Sequence, residues 1–147
     1  METKFNFYSQ ICTTREQSER LLALGLKKET ADMFWTEVWK YNEETSEPYP
    51  TGEYKECIKY SYKWIDLRDN IPAWSLARLV ELMPQSIVYE GNDLYLTIYA
   101  GDVVYTNWKE HTPLARTLDL YEHLIWYIEW LIKNGYFNNE YLNEHKD

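Results

Sequence analysis

Two side chains near the C-terminal end of the chain have the spacing of a metal-binding pair. Asp119 and His123 are four residues apart in a segment predicted to be helical, so they would share one helix face. A third ligand would have to come from another segment, because Glu122 points about 100° away around the helix. We favour the simpler interpretation, a surface histidine beside a carboxylate, and predict no metal site.

Carboxylates that are close together in sequence could instead perform acid–base chemistry. Asp66 and Asp69 form one such group. Glu43, Glu44 and Glu47 form another. Both groups fall in polar, loop-like segments, where solvated charge is the expected explanation. The chain also lacks a Gly-x-Ser-x-Gly motif and a catalytic cysteine signature, and its five glycines form no phosphate-binding loop. These observations predict no catalytic residue and no cofactor, and they favour a protein that is not an enzyme.

Aromatic residues are the unusual feature of the composition, at 17% of the chain with seven tryptophans and fourteen tyrosines. Flat aromatic rings bind ligands or cations by stacking, and they also anchor protein interfaces. The candidate aromatics for binding a ligand or partner are Trp35, Trp39, Tyr49, Tyr54, Tyr60, Trp64, Tyr95 and Tyr99.

Some of these rings have an alternative role in the core. Alternation along one predicted strand places an apolar row on one side, which we expect to be buried: Ile58, Tyr60, Tyr62 and Trp64. Other rings flank a Pro-rich loop or lie on the outer face of a predicted hairpin, and we expect these to be exposed: Tyr49, Tyr54, Tyr95 and Tyr99. The second group therefore bears more directly on function.

The length of 147 residues and a hydrophobic content of 45% predict one globular domain, 1–147, with a tail at 136–147 that could be mobile. No apolar stretch approaches the ~18 residues of a membrane helix. The first residues lack the pattern of a secretory signal, so we expect a cytoplasmic protein without membrane contact. Cys12 and Cys57 are interpreted as buried thiols rather than a disulfide.

The net charge of −9 argues against direct nucleic-acid binding and against docking on anionic lipid. The charge is uneven along the chain. Residues 1–80 carry 13 acidic and 11 basic side chains, whereas residues 81–147 carry 11 acidic and 4 basic ones. Any functional use of negative charge is therefore expected in the C-terminal half.

Start and stop signals predict three main helices, at 14–24, 73–83 and 113–133. The first has a capping box at Thr13–Glu16, and Gly25 suits the left-handed position after its last turn. Pro72 lies near the start of the second helix, and Thr112 is the predicted N-cap of the third.

Alternating apolar and polar residues predict five strands, at 34–40, 56–65, 86–90, 94–99 and 103–108. The turn residues 90–93 indicate a hairpin, and Asn42–Gly52, with two prolines, indicates a loop. We therefore predict an α+β domain in which one antiparallel sheet of about five strands packs with three helices.

Several blocks in roughly the first 85 residues form a signature: TTREQS and LGL within 13–26, TADM at 30–33, WID at 64–66, and IPAWSL and ELMP within 71–84. In these blocks the chain resembles small uncharacterised proteins of gut bacteria and their prophage-like mobile elements. The resemblance implies a mobile-element context, in which small acidic proteins often act by binding another protein. It implies no activity and no functional residue.

Three functional hypotheses follow. The leading one is a non-enzymatic protein-interaction module, which binds a protein partner or self-associates through exposed aromatics. The second is a small-ligand binder or enzyme with an aromatic-lined pocket near Trp35, Tyr60 and Trp64. The third is an acidic decoy that occupies the basic site of a nucleic-acid-binding protein through its acidic half.

Overall fold

A computed structural model of the chain describes residues 9–58, 70–99, 101–115 and 119–144. These residues confirm the α+β class. Their helices are α1 (Arg15–Ala23), α2 (Leu76–Leu82) and α3 (Leu120–Lys133). Their strands are β1 (Met33–Asn42), β2 (Glu47–Ile58), β3 (Ile71–Ala73), β4 (Ser86–Tyr89), β5 (Asn92–Tyr99) and β6 (Asp102–Thr106). Instead of one larger sheet, the strands form two antiparallel three-stranded sheets, ordered β2-β1-β3 and β4-β5-β6.

The main core is built on α3. Leu124, Ile128 and Leu131 on this helix are fully buried, together with residues of α1, α2 and the second sheet. Burial of each such side chain contributes about 1.5–3 kcal/mol to folding. Because the apolar face of α3 is broad, it needs neighbours on several sides.

Part of the aromatic content belongs to this core. The Trp130 ring lies 5.7 Å from the Tyr89 ring and 5.5 Å from the Tyr136 ring. Tyr127 contacts Tyr105 at 5.9 Å between ring centroids. The Tyr105–Tyr127 pair is edge-on and the Trp130–Tyr136 pair is stacked, which are the geometries that aromatic rings prefer, and the Tyr89–Trp130 pair is tilted. The aromatic cluster therefore fixes α3 against the second sheet.

Helix α1 begins one residue later than predicted. Thr14 Oγ1 accepts a hydrogen bond from the Gln17 N–H (3.1 Å), and Gln17 Oε1 accepts one from the Thr14 N–H (3.0 Å). The capping box is therefore formed by Thr14 and Gln17, and the prediction of Glu16 as its second member was wrong, because Gln17 occupies the third helical position. Gly25 follows with φ +102°, which confirms its predicted left-handed position.

Trp74 connects the first sheet to the segments on either side of α1. Its side chain is fully buried, and its indole N–H donates to Thr30 Oγ1 (2.9 Å). Its backbone N–H donates to Thr13 Oγ1 (3.1 Å), and its carbonyl accepts from the Thr13 N–H (2.8 Å). This residue therefore ties the end of β3 to the segment that precedes α1. Pro72 lies within β3, and α2 begins only at Leu76 with Ser75 as its N-cap.

The last helix is shorter than predicted. It starts at Leu120 with Asp119 as N-cap, and residues 112–115 are not helical. Thr112 is buried, its Oγ1 lies 2.8 Å from the Tyr127 hydroxyl, and its N–H donates to the Tyr105 carbonyl (2.9 Å). The predicted N-cap role of Thr112 was wrong because its hydroxyl is used in packing the chain against α3 and β6.

The predicted loop at Asn42–Gly52 is mostly strand. Only residues 43–46 form a turn, and β2 starts at Glu47, well before the predicted position 56. Residues 59–65 of the predicted second strand lie outside the described residues. The predicted hairpin of the second sheet is confirmed, since Glu90 and Gly91 connect β4 to β5 with positive φ angles of 50° and 80°.

The C-terminal segment 136–144, within the predicted tail, contacts the rest of the fold. Phe137 is buried in the main core. Leu142 forms a β-bridge with Leu26, and the Asn143 N–H donates to the Gly25 carbonyl (2.7 Å). Within the described ranges, none of the helices combines the length and the apolar character that a membrane span requires.

Replacement of Trp74 by alanine should destabilise the protein strongly. The substitution removes a fully buried indole and its hydrogen bond to Thr30, and we expect the free energy of unfolding to fall by about 3–5 kcal/mol. The matched control is Trp108→Ala, which changes a fully exposed indole and should stay within ~0.5 kcal/mol. Urea unfolding of both variants measures the difference. Equal losses would contradict the assignment of Trp74 as a core residue.

A second prediction concerns the contact between α1 and α3. Glu122 accepts hydrogen bonds from Gln17 (2.8 Å) and Arg20 (2.7 Å), and the Gln17 bond, more than the Arg20 charge, lowers the pKa of this carboxyl although burial opposes the shift. A carboxyl whose pKa is lower in the folded state stabilises the protein at pH values above its unfolded-state pKa. This contribution is lost as the pH falls through the folded-state pKa.

We therefore expect Glu122→Gln to reduce the free energy of unfolding at pH 7 by less than ~1 kcal/mol, because both partners are partly exposed. The difference from wild type should disappear as the pH falls below about 4.5, the ordinary value for this group. The exposed Glu140→Gln is the control. A pH-independent loss in Glu122→Gln would argue against the proposed linkage.

Candidate interaction surfaces

The distal part of the β1–β2 hairpin extends beyond the rest of the first sheet. β1 pairs with β2 along its full length, but it pairs with β3 only at residues 33–35. All residues from 39 to 50 are exposed. We call residues 37–53 the arm. Both faces of the arm therefore contact solvent over its outer part.

One face of the arm is formed by aromatic and proline side chains. Trp39 lies opposite Pro50, and Tyr41 lies opposite Pro48. Residues directly opposite each other, and residues two apart on one strand, share a face of the sheet. Trp39 is 58% exposed and Tyr41 is 61% exposed. Such rings in solvent are unusual for residues whose burial would contribute several kcal/mol.

A double bulge fixes the base of the arm. Between the pairs Glu37–Tyr54 and Trp39–Pro50, two steps along β1 correspond to four along β2. The additional β2 residues are held by two hydrogen bonds: Thr51 Oγ1 donates to the Val38 carbonyl (2.5 Å), and the Gly52 N–H donates to Glu37 Oε1 (3.0 Å). Bulges of this kind increase the twist of a strand and interrupt its pairing locally, and pairing resumes here at Trp39 and Pro50.

A groove lies at the base of the arm. It has a volume of about 700 Å³ and is lined by Thr36, Glu37, Trp39, Tyr54 and Asn70. The Arg15 guanidinium covers the Tyr54 ring from the side of α1, at 4.0 Å from the ring centroid. This cation–π contact leaves Tyr54 half-buried.

Trp35 anchors the base of the arm to the fold. Its indole N–H donates to the Thr13 carbonyl (2.9 Å), and its ring packs against the small buried cluster of Cys12, Met33 and Ala73. Trp35 is therefore half-buried and structurally engaged. The burial of Cys12 agrees with its interpretation as a buried thiol.

A second aromatic surface lies on the outer face of the second sheet. Tyr95 and Trp108 border a cleft of about 320 Å³, which we call the Trp108 cleft. Trp108 is fully exposed. Its turn is held by Asn107, whose Oδ1 accepts hydrogen bonds from the N–H groups of Lys109 (2.8 Å) and Glu110 (2.7 Å). The ring is thus presented by an ordered turn.

The predicted binding aromatics are distributed over three places. Trp39 and Tyr49 are on the arm, Trp35 and Tyr54 are at its base, and Tyr95 and Tyr99 are on the outer face of β5. The exposure predicted for three of them is confirmed: Tyr49, Tyr95 and Tyr99. Tyr54 is less exposed than predicted because Arg15 covers it. Two candidates lie outside the described residues: Tyr60 and Trp64.

Sequence reasoning missed Tyr41 and Trp108. Tyr41 stands two residues after Trp39, so strand alternation could have placed both rings on one face. Trp108 was assigned to the end of a strand, although Asn107 before it is a typical turn residue. Attention to these two signals would have identified both residues.

Of the carboxylates considered for acid–base chemistry, Glu43, Glu44 and Glu47 are exposed on the arm, whereas Asp66 and Asp69 lie outside the described residues. The two side chains with metal-binding spacing have structural roles. His123 is buried rather than on the surface, and its two ring nitrogens lie 3.0 Å from the carbonyls of Gly101 and Ala115. Asp119 Oδ1 accepts from the Tyr121 N–H (2.9 Å) at the start of α3. The prediction of a surface histidine was wrong because the turn before β6 and the segment before α3 cover this helix end.

Electrostatics in the main core favour neutral phenols. Burial, with a smaller contribution from the neighbouring Tyr127, raises the pKa of Tyr105 well above its ordinary value. Burial likewise raises the pKa of Tyr127. Both hydroxyls therefore remain protonated and donate to carbonyls, those of Pro84 (2.7 Å) and Pro113.

In the part of the chain that the structure describes, no three histidine, cysteine or carboxylate side chains are grouped to hold a metal ion.

Comparison with known proteins gave no match: no protein-family model, no curated protein and no solved structure is significantly similar to this chain.

The exposed rings of the arm should be dispensable for folding. We expect Trp39→Ala and Tyr41→Ala each to lower the free energy of unfolding by less than ~1 kcal/mol, which is the size of a cross-strand pair on a solvated face. Leu124→Ala, at a fully buried position of α3, should cost about 2–5 kcal/mol. Chemical denaturation of the three variants provides the test. A loss of more than ~2 kcal/mol at Trp39 would mean that the arm is part of the core.

Proposed function

We propose that this protein is a non-enzymatic interaction module that binds another protein through the arm. The observation that carries the proposal is the exposure of Trp39 and Tyr41 on a paired hairpin that contacts solvent on both faces. Tryptophan and tyrosine are enriched among the residues that dominate binding energy at interfaces. Because the strands already fix the backbone of the arm, binding would require little ordering there.

The described polar side chains support a non-enzymatic role, because several serve the fold. Ser75 Oγ donates to Asp32 Oδ2 (2.5 Å) and caps α2 through the Arg78 N–H (3.2 Å). Thr112 and Tyr127 hydrogen-bond each other within the core. Groups engaged in this way stabilise helix ends and strand connections. We further propose a cytoplasmic location and the mobile-element context that the sequence resemblance implies.

The Trp108 cleft supports a second candidate function, the binding of a small planar ligand between Tyr95 and Trp108. Its volume of about 320 Å³ lies at the lower end of the range for ligand sites. The pocket hypothesised near Trp35, Tyr60 and Trp64 depends on two residues outside the described ranges. We therefore rank the arm first, the Trp108 cleft second and the pocket near Trp35 below them.

The acidic-decoy hypothesis is supported less. Three carboxylates of the C-terminal half lie near bases of the same protein: Glu81 near Arg78, Glu122 near Arg20 and Glu129 near Lys133. Carboxylates paired in this way contribute less to an external negative surface than unpaired ones. A decoy would need rows of carboxylates available to a basic partner.

Site-specific photo-crosslinking tests the proposed function. A photoreactive phenylalanine analogue is placed at Trp39 in the full chain, and the protein is irradiated in a lysate of the organism that encodes it. The control carries the analogue at Ala77, an exposed position of α2. We expect a discrete protein adduct from position 39 that is absent from position 77. An adduct of twice the 17.8 kDa chain mass would indicate self-association. Identical adduct patterns, or none from position 39, would contradict the proposal.

A further inference from the structure

The Trp108 cleft is built on hydrogen-bonded strands of the second sheet. Tyr95 on β5 lies directly opposite Thr106 on β6, and Thr97 follows Tyr95 by two residues. Residues placed in this way share one face of an antiparallel sheet. Leu94 and Tyr105, which alternate with them, are fully buried, so the three cleft residues are on the outer face. The strands therefore fix the positions from which these side chains line the cleft.

The turn that carries Trp108 is held to both β5 and β6. The Asn107 N–H donates to the Glu110 carbonyl (3.0 Å), and Asn107 Nδ2 donates to the Asp93 carbonyl (3.3 Å) near the start of β5. A β-bridge between Thr106 and His111 closes the turn. The indole of Trp108 is nevertheless fully exposed. Because the turn is already ordered, a ligand that stacks on this ring would lose little affinity to ordering of the protein.

The threonine hydroxyls of the cleft are available as hydrogen-bond acceptors. Thr97 Oγ1 donates to the Tyr95 carbonyl (3.1 Å). Thr106 Oγ1 shares its hydrogen between the carbonyls of Asn107 (2.7 Å) and Glu110 (2.9 Å). A threonine hydroxyl has one hydrogen and two lone pairs. No N–H or O–H group of the described residues donates to either oxygen, so both oxygens can accept from a ligand.

The charge around the cleft favours a cationic ligand. Residues 86–111, which form the second sheet and its turns, carry four acidic side chains and one basic one. The described residues that line the cleft are themselves uncharged. The faces of aromatic rings are negative and attract cations. An anionic ligand would therefore be repelled, whereas a cation would be attracted both by the rings and by the surrounding carboxylates.

A planar cation with several N–H groups matches this combination of rings, acceptors and charge. A guanidinium group stacks flat on aromatic rings, and its five N–H donors point outward in its own plane. A guanidinium stacked on Trp108 would direct these donors toward the walls of the cleft, to which Thr97 and Thr106 belong. An ammonium group is a compact, strongly hydrated charge that does not stack in this way. A neutral aromatic ligand without N–H groups would leave both acceptors without a donor.

We propose that the Trp108 cleft binds the guanidinium group of an arginine-like compound, stacked on Trp108 and hydrogen-bonded to the hydroxyls of Thr97 and Thr106. This proposal rests on the second candidate function, ligand binding in the cleft, and names the chemical class of the ligand. It does not depend on the arm.

Titration of the full chain with three blocked amino acids, followed by NMR, tests the proposal. The probes are the N-acetyl methylamides of arginine, of citrulline, which is planar but neutral, and of lysine, which is charged but not planar. We expect arginine to shift the signals of the Trp108 indole N–H and the Thr106 amide. It should bind roughly threefold to thirtyfold more tightly than citrulline, the range of a cation–π contact. Binding of citrulline or lysine as tight as that of arginine would overturn the proposal.

A matched pair of tryptophan variants locates the binding site. Trp108→Leu removes the ring and retains an apolar side chain, and we expect it to weaken arginine binding roughly tenfold. Trp39→Leu removes an exposed ring of the arm and should leave the affinity unchanged. Both positions are exposed, so both variants should fold, and circular dichroism verifies this. An unchanged affinity in folded Trp108→Leu would overturn the proposal.

Thr97→Val tests the proposed hydrogen bond at nearly constant shape. Valine keeps the branched side chain that suits a strand but has no acceptor. We expect arginine to bind roughly threefold to tenfold more weakly, the effect of one hydrogen bond. Thr45→Val, at an exposed position in the turn of the arm, is the matched control and should bind like wild type. Equal affinities of the two variants would contradict the role of Thr97.

A pentapeptide with a central arginine between glycine and serine residues distinguishes the two sources of a guanidinium group. Binding of the peptide that is tighter than binding of blocked arginine would indicate an arginine of another protein. Equal binding would indicate a free guanidino compound. Either result supports recognition of a guanidinium group by the cleft.

Failure of this proposal can be distinguished from failure of the candidate function on which it rests. Benzamide, a neutral planar compound, and methyl glucoside, a neutral sugar, are titrated in parallel. A shift at Trp108 with either compound, without a shift with arginine, would leave the cleft as a ligand site and overturn the guanidinium proposal. No shift at Trp108 with any of these compounds would reject both.

Discussion

Burial of the apolar face of α3 is the interaction on which the rest of the structure depends. Leu124, Ile128 and Leu131 cannot be covered by one neighbour, so α1, α2 and the second sheet must surround the helix. The aromatic pairs of Trp130 and Tyr127 complete this arrangement from the side of β4 and β6. The apolar face of α3 is thus covered by elements other than the long β1–β2 hairpin.

The first sheet is therefore stabilised by contacts other than those around α3. Only its base is buried, in the small cluster of Cys12, Met33 and Ala73, with Trp35 packed against it. Trp74 then joins this base to Thr13, which lies just before α1, and to Thr30, which lies after α1. Nothing in the two clusters of buried residues requires the arm to be long. A ten-residue strand whose outer half contains no buried residue needs another reason for its length and for its exposed rings.

The comparison of sequence and structure shows which signals are local. Alternation and turn residues predicted the β4–β5 hairpin well, because two residues with positive φ decide it. The start of α3 depended on a distant contact, since the packing of Thr112 against Tyr127 removed it as a cap. β2 was interpreted as a loop because prolines normally interrupt strands, and only the pairing partner shows that Pro48 and Pro50 lie on an outer edge. The exposure of Trp39 likewise could not be predicted from local sequence, because it depends on how far the core extends.

The same reasoning connects charge with the exposed rings of the arm. Sequence counting places most of the excess acid after residue 80, yet Glu81, Glu122 and Glu129 each have a base nearby in the folded chain. The arm carries a smaller excess of acid, but it is combined there with the exposed rings of Trp39 and Tyr41. Ionic attraction alone is weak and screened in water. Ionic attraction and ring stacking acting on one partner can together give a specific interface, and the arm is a described surface where both are available.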